Sequence, residues 1–326
     1  MKKISILAAV CCLFAGAAFA SDTGKSTQIE LHASSLVGPT GIPVAYMYEN
    51  TPQIQNTKVT FETFASPAAL LPKMIKGEVD IGFLPANAAA KAFTATKGAV
   101  IAAGISGTGT ITLITKDASV KTFTDLKGKK VAVAGQGATP EYMFRYLLAA
   151  NNVKEGTGAD AVELDFSIET SKLAAELLSG RVQYAVVPEP FATVASIKDA
   201  SVIRAIDFQV EYAKINGKDT VYPLTLIVVR KSFAAEHPDT VRAFLDAYKK
   251  STDWTIANPQ KSGALVQKYT LGLAAPVVAK AVPACNFVCI DAQTGRAAIE
   301  KLLNIFLQFA PESVGGSLPA DSFYFK

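Results

Sequence analysis

The chain states one pattern twice. Residues 58–87 read KVTFETFASPAALLPKMIKGEVDIGFLPAN, and residues 161–190 read AVELDFSIETSKLAAELLSGRVQYAVVPEP. Val59 aligns with Val162, Phe61 with Leu164, Gly77 with Gly180, Val79 with Val182 and Pro85 with Pro188, all at one offset and without a gap. Each copy has the pattern of a strand, a helix stopped by Gly, a second buried strand and a Pro-marked exit loop. Any two αβ units share part of this pattern, but the ungapped register favours a repeat. Two copies imply two similar α/β lobes, and the cleft between lobes is where a small ligand fits.

The first 20 residues stand outside this pattern. Lys2 and Lys3 precede an apolar run from Ile4 to Phe14, and Ala18-Phe19-Ala20 forms a small-x-small site before Ser21. That order predicts a secretory leader over 1–20, cleaved after Ala20, and hence a periplasmic protein. The run is too short for a stable bilayer anchor. Cys11 and Cys12 lie inside it, but Val10 is a poor fit to the small residues that precede a lipid-bearing Cys. Half of the chain is apolar (50%) and 18% is charged, which marks a globular protein of a length that suits two domains. The net charge of +4 owes half its value to the leader lysines. With no basic run, the sequence gives no reason to expect nucleic acid or direct membrane insertion.

Residues 27–33 alternate in polarity as a half-buried strand does. A loop at 34–39 leads to a helix over 40–48, with Thr40 as N-cap and Pro43 in the first turn. Ser66 and Pro67 read as N-cap and N1 of the first repeat helix. A short helix at 87–93 and a strand at 100–105 complete the first block, and 108–115 reads as one long strand leaving it. The second block mirrors the first: a strand at 131–134, a glycine loop at 135–138, a helix from Thr139, the second copy, a helix at 191–197 and a strand at 202–206. Residues 209–220 are polar and carry an Asn-Gly turn, and 222–229 is a second long apolar strand. The two long strands are expected to be the crossings between lobes, a two-strand hinge. The rest reads as helices at 237–257, 259–269, 275–281 and 293–309, then loop.

These residues give catalysis little support. A Ser-His-acid triad needs an available His. The chain has His32 on the polar side of a strand and His237 at a helix start. GISGTG at 104–109 puts Thr108 where a nucleophile elbow requires Gly. GQGATP at 135–140 lacks the third glycine of a dinucleotide fingerprint, and the Walker-type phosphate loop is absent from the sequence. No cofactor is expected. Neither His has a second ligand nearby in sequence, so no metal is expected either. Cys285 and Cys289, in PACNFVCID, read as a local disulfide of an exported protein or as two buried thiols on one helical face; the disulfide is carried forward.

Binding is better supported. In open α/β sheets, ligands lie where carboxyl ends of strands enter helices. The loops at 35–40 and 136–139 hold such positions, so backbone N–H groups and two helix dipoles are expected to face the cleft. Gly38, Gly135 and Gly137 would let a ligand approach the backbone; turn geometry alone is the competing reading. Pro188-Glu189-Pro190 stiffens a strand exit and presents one carboxylate as an acceptor for an amino or hydroxyl group. Its repeat-mate is Ala86, beside Asn87, and the competing reading for Glu189 is exposure or a salt bridge with a neighbouring Lys. Trp254 and the terminal Phe323, Tyr324 and Phe325 read as packing residues.

The segment DLKGKKVAVAGQGATP (125–140), the exit VPEPF (187–191) and HPDTVRAFLDAYKKSTDWTIANP (237–259) resemble ABC-importer periplasmic solute-binding proteins. The group is the sulfonate, nitrate and thiamine-precursor type. This resemblance covers nearly all of the mature chain. It implies a two-lobed α/β fold of the type II periplasmic-binding-protein class, with a ligand cleft between lobes. One lobe would hold 21–115 and 222–326, and the other 116–221. It implies a site lined by Ser35, Thr40, Ser66, Ala86, Thr108, Gln136, Gly137, Ala138, Thr139 and Glu189, to which Gly38 and Asn87 are added from the loops above. It also implies a monomer that hands a small polar ligand to permease and ATPase subunits. Sulfonate-like ligands would use helix starts and hydroxyls; pyrimidine-like ligands would use acids and aromatics, of which Glu189 is the clear one. The cysteine cluster of the fungal pyrimidine synthase branch is missing. The rival readings are a TRAP-type receptor and a periplasmic enzyme of the menaquinone-precursor-dehydratase type.

Overall fold

A computed structural model describes residues 28–326. The leader expected over 1–20 and its cleavage site lie outside the described residues. The chain begins with β1 (Ile29–Leu36), β2 (Thr57–Phe64), β3 (Ile81–Pro85) and β4 (Val100–Thr108). It continues through β5 (Ile111–Thr115), β6 (Lys130–Val133), β7 (Lys154–Glu155), β8 (Ala161–Asp165), β9 (Tyr184–Pro188) and β10 (Ile203–Asp207). It closes with β11 (Pro223–Arg230) and β12 (Phe287–Asp291). These strands form two six-stranded sheets, in the orders β12-β4-β11-β3-β1-β2 and β10-β5-β9-β6-β8-β7.

The sequence repeat becomes a structural one. The first copy forms β2, the helix Pro67–Lys76 and β3; the second forms β8, the helix Thr170–Leu178 and β9. In both, a parallel strand, β1 or β6, lies between the two repeat strands. Both helices end in a glycine at φ +79°, Gly77 and Gly180, the left-handed conformation that only glycine adopts without penalty. Ser66 caps the first helix by accepting from Ala69 N at 3.3 Å, as its sequence position suggests.

The symmetry extends to strands that are not part of the repeat. β11 runs antiparallel to β3 with Thr225 opposite Pro85, and β5 runs antiparallel to β9 with Ile111 opposite Pro188. β4 then pairs with β11 as β10 pairs with β5. Each sheet therefore receives one antiparallel strand from chain that has just left the other sheet.

This arrangement corrects the reading of 108–115 as one strand. β4 ends at Thr108 in the first sheet and β5 begins at Ile111 in the second, so the chain passes over at Gly109-Thr110. A Cβ at Gly109 would come within 2.5 Å of the Tyr222 ring, which belongs to the return passage, so the two passages pack on each other. The 222–229 strand exists but lies wholly in the first sheet. Three further differences have local causes. β1 runs on through Leu36, because Ser34, Ser35 and Leu36 keep pairing with β2. Phe208–Asn216 is a helix whose N-cap, Asp207, accepts from Gln209 N and Val210 N. β12, in the stretch left between the helices expected at 275–281 and 293–309, adds to the sheet edge beside β4.

Buried apolar residues fill both faces of each sheet. One cluster packs the first sheet under the helices Gly41–Glu49 and Pro238–Ala257, and another packs the second sheet under Thr170–Leu178 and Phe191–Lys198. A third cluster runs through both halves. The helix Arg296–Phe309 meets Thr139–Ala150 there, with the Tyr142 and Phe306 rings 4.9 Å apart, edge to face. A second contact joins Ala275–Ala281 to Phe191–Lys198. Phe323 and Tyr324 are buried, and Phe325 N donates to Ala102 O, so the aromatic end packs as expected. Among the described residues no helix is long and apolar enough to cross a membrane.

Candidate functional site

Where the carboxyl ends of the strands face each other, the two halves enclose a cavity of about 50 Å³. Thr40 supplies its wall after β1, Ser106 and Thr108 from β4, Thr225 from β11, and Glu189 from the exit of β9. That volume is room for one or two waters, against the several hundred Å³ of a usual small-molecule site.

Thr40, Thr108 and Glu189 are the expected residues that meet here. Thr40 does not cap its helix: its Oγ1 donates to Leu36 O at 3.0 Å and accepts from Leu36 N at 3.2 Å. Thr108 Oγ1 donates to Asn286 O at 3.5 Å, and Ser106 Oγ donates to Thr225 O at 3.3 Å. These hydroxyl protons are spent on backbone carbonyls, so the lone pairs are what the walls offer to a ligand.

Glu189 is not a free carboxylate. It is 4% exposed; its Oε1 accepts from Arg204 Nε at 3.0 Å and Nη2 at 2.6 Å, and its Oε2 accepts from Thr193 N at 3.1 Å. Arg204 Nη2 also reaches Thr193 Oγ1 at 2.8 Å. Glu189 is thus in a salt bridge, but with an arginine from the next-but-one strand rather than with a neighbouring Lys. The guanidinium neutralises the carboxylate while Oε2 keeps acceptor capacity. The Glu189 backbone N donates to Thr110 O at the crossing, tying this group to the hinge.

Other expected positions stand apart from the cavity. Ser35 is buried in β1 with its Oγ against Thr63 Oγ1 at 3.3 Å, so it is strand rather than loop. Gly38 has φ +104° and donates its N–H to Leu271 O. Ser66 serves its own helix. Ala86 is buried and, with Asn87, opens the helix Ala86–Ala95. The loop of Gln136, Gly137, Ala138 and Thr139 is also outside the cavity walls. Its expected role as a free helix start is corrected by Glu141, whose Oε2 accepts Gly137 N at 2.6 Å while Arg145 Nε donates to its Oε1 at 2.9 Å. A carboxylate of the same helix thus already takes one N–H of this loop.

The cavity also has walls the sequence did not assign to a site: Tyr248 and Phe287, with Cys285, which it read as a disulfide partner. Tyr248 lies on the buried stripe of Pro238–Ala257 with Val241, Phe244, Thr252 and Thr255. Hydroxyls in such a stripe were the available signal. Ser106 and Thr252 lie beside its phenol, and burial pushes that phenol well above its usual range.

The expected Cys285–Cys289 disulfide is not formed; both are free thiols. Cys285 follows the short turn Val282–Ala284 and packs with Ile42, Val278 and Phe287, whereas Cys289 sits in β12 against Leu245. The strand between them carries the two side chains into different cores. Burial drives the Cys285 thiol far up; Glu189 adds to this and Arg204 opposes it. Burial raises Cys289 to about 11. His32 Nδ1 lies 2.9 Å from Thr60 Oγ1, and the His237 ring packs on Phe233; both are remote from the cavity walls. Among the described residues no group of His, Cys, Asp or Glu is arranged to hold a metal ion.

Solved structures share this fold. An ABC transporter structure from Parabacteroides distasonis is 25% identical with a TM-score of 0.75, covering 92% of this chain and 99% of that one. The periplasmic aliphatic sulphonate binding protein SsuA from Escherichia coli is 18% identical with a TM-score of 0.67, covering 91% of this chain and 92% of its own. The periplasmic nitrate-binding protein NrtA from Synechocystis is 14% identical with a TM-score of 0.59, covering 90% and 83%. The fold is thus the two-lobed periplasmic-binding-protein fold expected from the sequence. No curated protein matches the chain. The family model described as NMT1/THI5 like matches residues 55–262, and the chain belongs to that family.

Proposed function

We propose that this protein is the extracytoplasmic solute-binding component of an ABC importer, which captures a small polar organic ligand and delivers it to a membrane permease. The observation that carries the reading is the cavity between the lobes, with Thr40 and Thr108 on one side and Glu189 on the other. A ligand touching both sides favours the closed state over the open one, which is how such a protein signals occupancy. The lobe division expected from the sequence, 21–115 with 222–326 against 116–221, shifts at one boundary, because β5 (Ile111–Thr115) pairs in the second sheet.

The chemistry of the walls narrows the ligand. Hydroxyls with spent protons and a carboxylate with spare acceptor capacity favour a ligand rich in N–H or O–H donors. Arg204 removes the repulsion that Glu189 would otherwise exert on a partly anionic solute. Tyr248 and Phe287 offer flat apolar surface. A pyrimidine-like amine or a zwitterionic aminosulfonate suits this set better than a multiply charged anion.

Mass spectrometry of small molecules released from the purified protein identifies the ligand, and calorimetry of the E189Q variant tests the site. For an amino-bearing ligand, affinity falls by roughly 1.5–3 kcal/mol, the scale of a charge-assisted hydrogen bond. Tighter binding would show that the ligand is an anion and that Glu189 opposes it. Unchanged affinity would remove Glu189 from the site.

A further inference from the structure

At the other end of the first sheet lies a larger surface cavity of about 550 Å³, walled by Lys76, Lys97, Arg230 and Lys231 with Gly77 and Gly98. β4 runs from this cavity, beside Val100, to Thr108 at the ligand cleft, a strand length of roughly 26 Å. The two cavities are therefore separate. We propose that this one is a binding site for a phosphate-type oxyanion.

The internal symmetry of the molecule supplies the argument, because it shows what the same corner looks like without such a site. The register that places Val229 opposite Ile81 and Thr115 opposite Tyr184 makes Arg230 the counterpart of Lys116, and Lys231 the counterpart of Asp117. The helices Ala86–Ala95 and Phe191–Lys198 end in equivalent C-cap residues, Thr96 and Asp199. In the second lobe the corner is neutralised from within. Lys116 Nζ is 2.9 Å from Asp199, and Asp117 takes Lys129 at 3.6 Å and the Tyr184 hydroxyl at 2.7 Å. In the first lobe both acids are gone. Thr96 replaces one, Lys231 replaces the other, and Lys76 and Lys97 stand where the second lobe has Ser179 and Ala200.

Arg230 compensates by turning to Asp80, to which it donates at 2.6 and 3.1 Å. Glu78, the next acid on that edge, is ion-paired with Lys73. Among the described residues, no carboxylate lies within ion-pair distance of Lys76, Lys97 or Lys231, and all three face one concavity. Clustered ammonium groups repel each other, and an oxyanion with several acceptor oxygens relieves that repulsion at all of them together. A free phosphate or pyrophosphate and the headgroup of an anionic phospholipid share this chemistry.

The test is calorimetric titration of the purified protein with pyrophosphate at constant ionic strength, alongside flotation with phosphatidylglycerol vesicles. Saturable pyrophosphate binding that weakens at least tenfold in K97Q/K231Q is expected, with T96D/K231D, which restores the second lobe's charge pattern, weakening it as much. Vesicle binding with the same sensitivity would assign the site to lipid. Absence of binding in both arms, or binding undiminished in both variants at unchanged thermal stability, would overturn the proposal. Calorimetry of the cleft ligand in the same variants is expected to be unchanged, so this outcome is independent of the proposed function.

Discussion

Glu189 carries more of the site's electrostatics than any other residue, and its partner decides what it can do. The carboxylate is almost fully buried, while the Arg204 side chain is 37% exposed. Replacing Arg204 by Met leaves a buried charge with one N–H donor. Breaking a fully buried pair costs about 3–5 kcal/mol; the exposed guanidinium lowers that to about 2 kcal/mol, which urea denaturation would read. A loss below a few tenths of a kcal/mol would mean that water already solvates Glu189. Cys285 reports on the same corner. It is 3% exposed, and its thiol is driven up by burial. Only the thiolate reacts, so alkylation of native protein at pH 7 should be slow and should quicken as pH rises toward the elevated pKa. Denatured, unreduced protein should yield two reactive thiols from the Cys285 and Cys289 pair. None would show that the pair is oxidised in the isolated protein.

The repeat makes a prediction at the level of elements. Gly77 and Gly180 close equivalent helices at the same backbone angle. A Cβ at Gly180 meets nothing within 4 Å, and one at Gly77 meets the flexible Arg230 tip at 3.8 Å. Gly180→Ala and Gly77→Ala should each cost about 1–2 kcal/mol, the penalty of a left-handed L-residue. Similar values by chemical denaturation would confirm that backbone conformation sets the cost. A large excess at Gly77 alone would point to the Arg230–Asp80 pair instead.

On the scale of the molecule, two passages of chain join the halves and pack against each other through Gly109 and Tyr222. Ligand should favour the closed arrangement, so small-angle scattering should give a smaller radius of gyration at saturating ligand than without it. Gly109→Ala drives a methyl into the Tyr222 ring and the Gln209 side chain. The variant should lose stability and bind the ligand more weakly, with cavity residues untouched. Wild-type affinity in a folded Gly109→Ala protein would show that the passages adjust freely and do not set closure.

The repeat, the glycine stops, the Ser66 cap and the two-lobed class were legible in the sequence. Each depends on neighbours within a few residues: hydrophobic periodicity, a positive φ, an oxygen three positions before an N–H. The break at Gly109-Thr110 was not legible, because 108–115 (TGTITLIT) keeps strand-favouring Thr, Ile and Leu on past Gly109, and only pairing partners distinguish one strand from two. Nor were the contacts that define the site. Glu189 meets Arg204 because β10 lies beside β5 and β5 beside β9. Gly137 loses its free N–H because Glu141 turns back onto it, while Tyr248 and Cys285 reach the cavity from elements far along the chain. The sequence has no basic run, yet folding gathers Lys76, Lys97, Arg230 and Lys231 into one concavity. Local physics determined the elements, and strand order, which brings distant side chains within hydrogen-bonding or Coulombic range, decided what they meet.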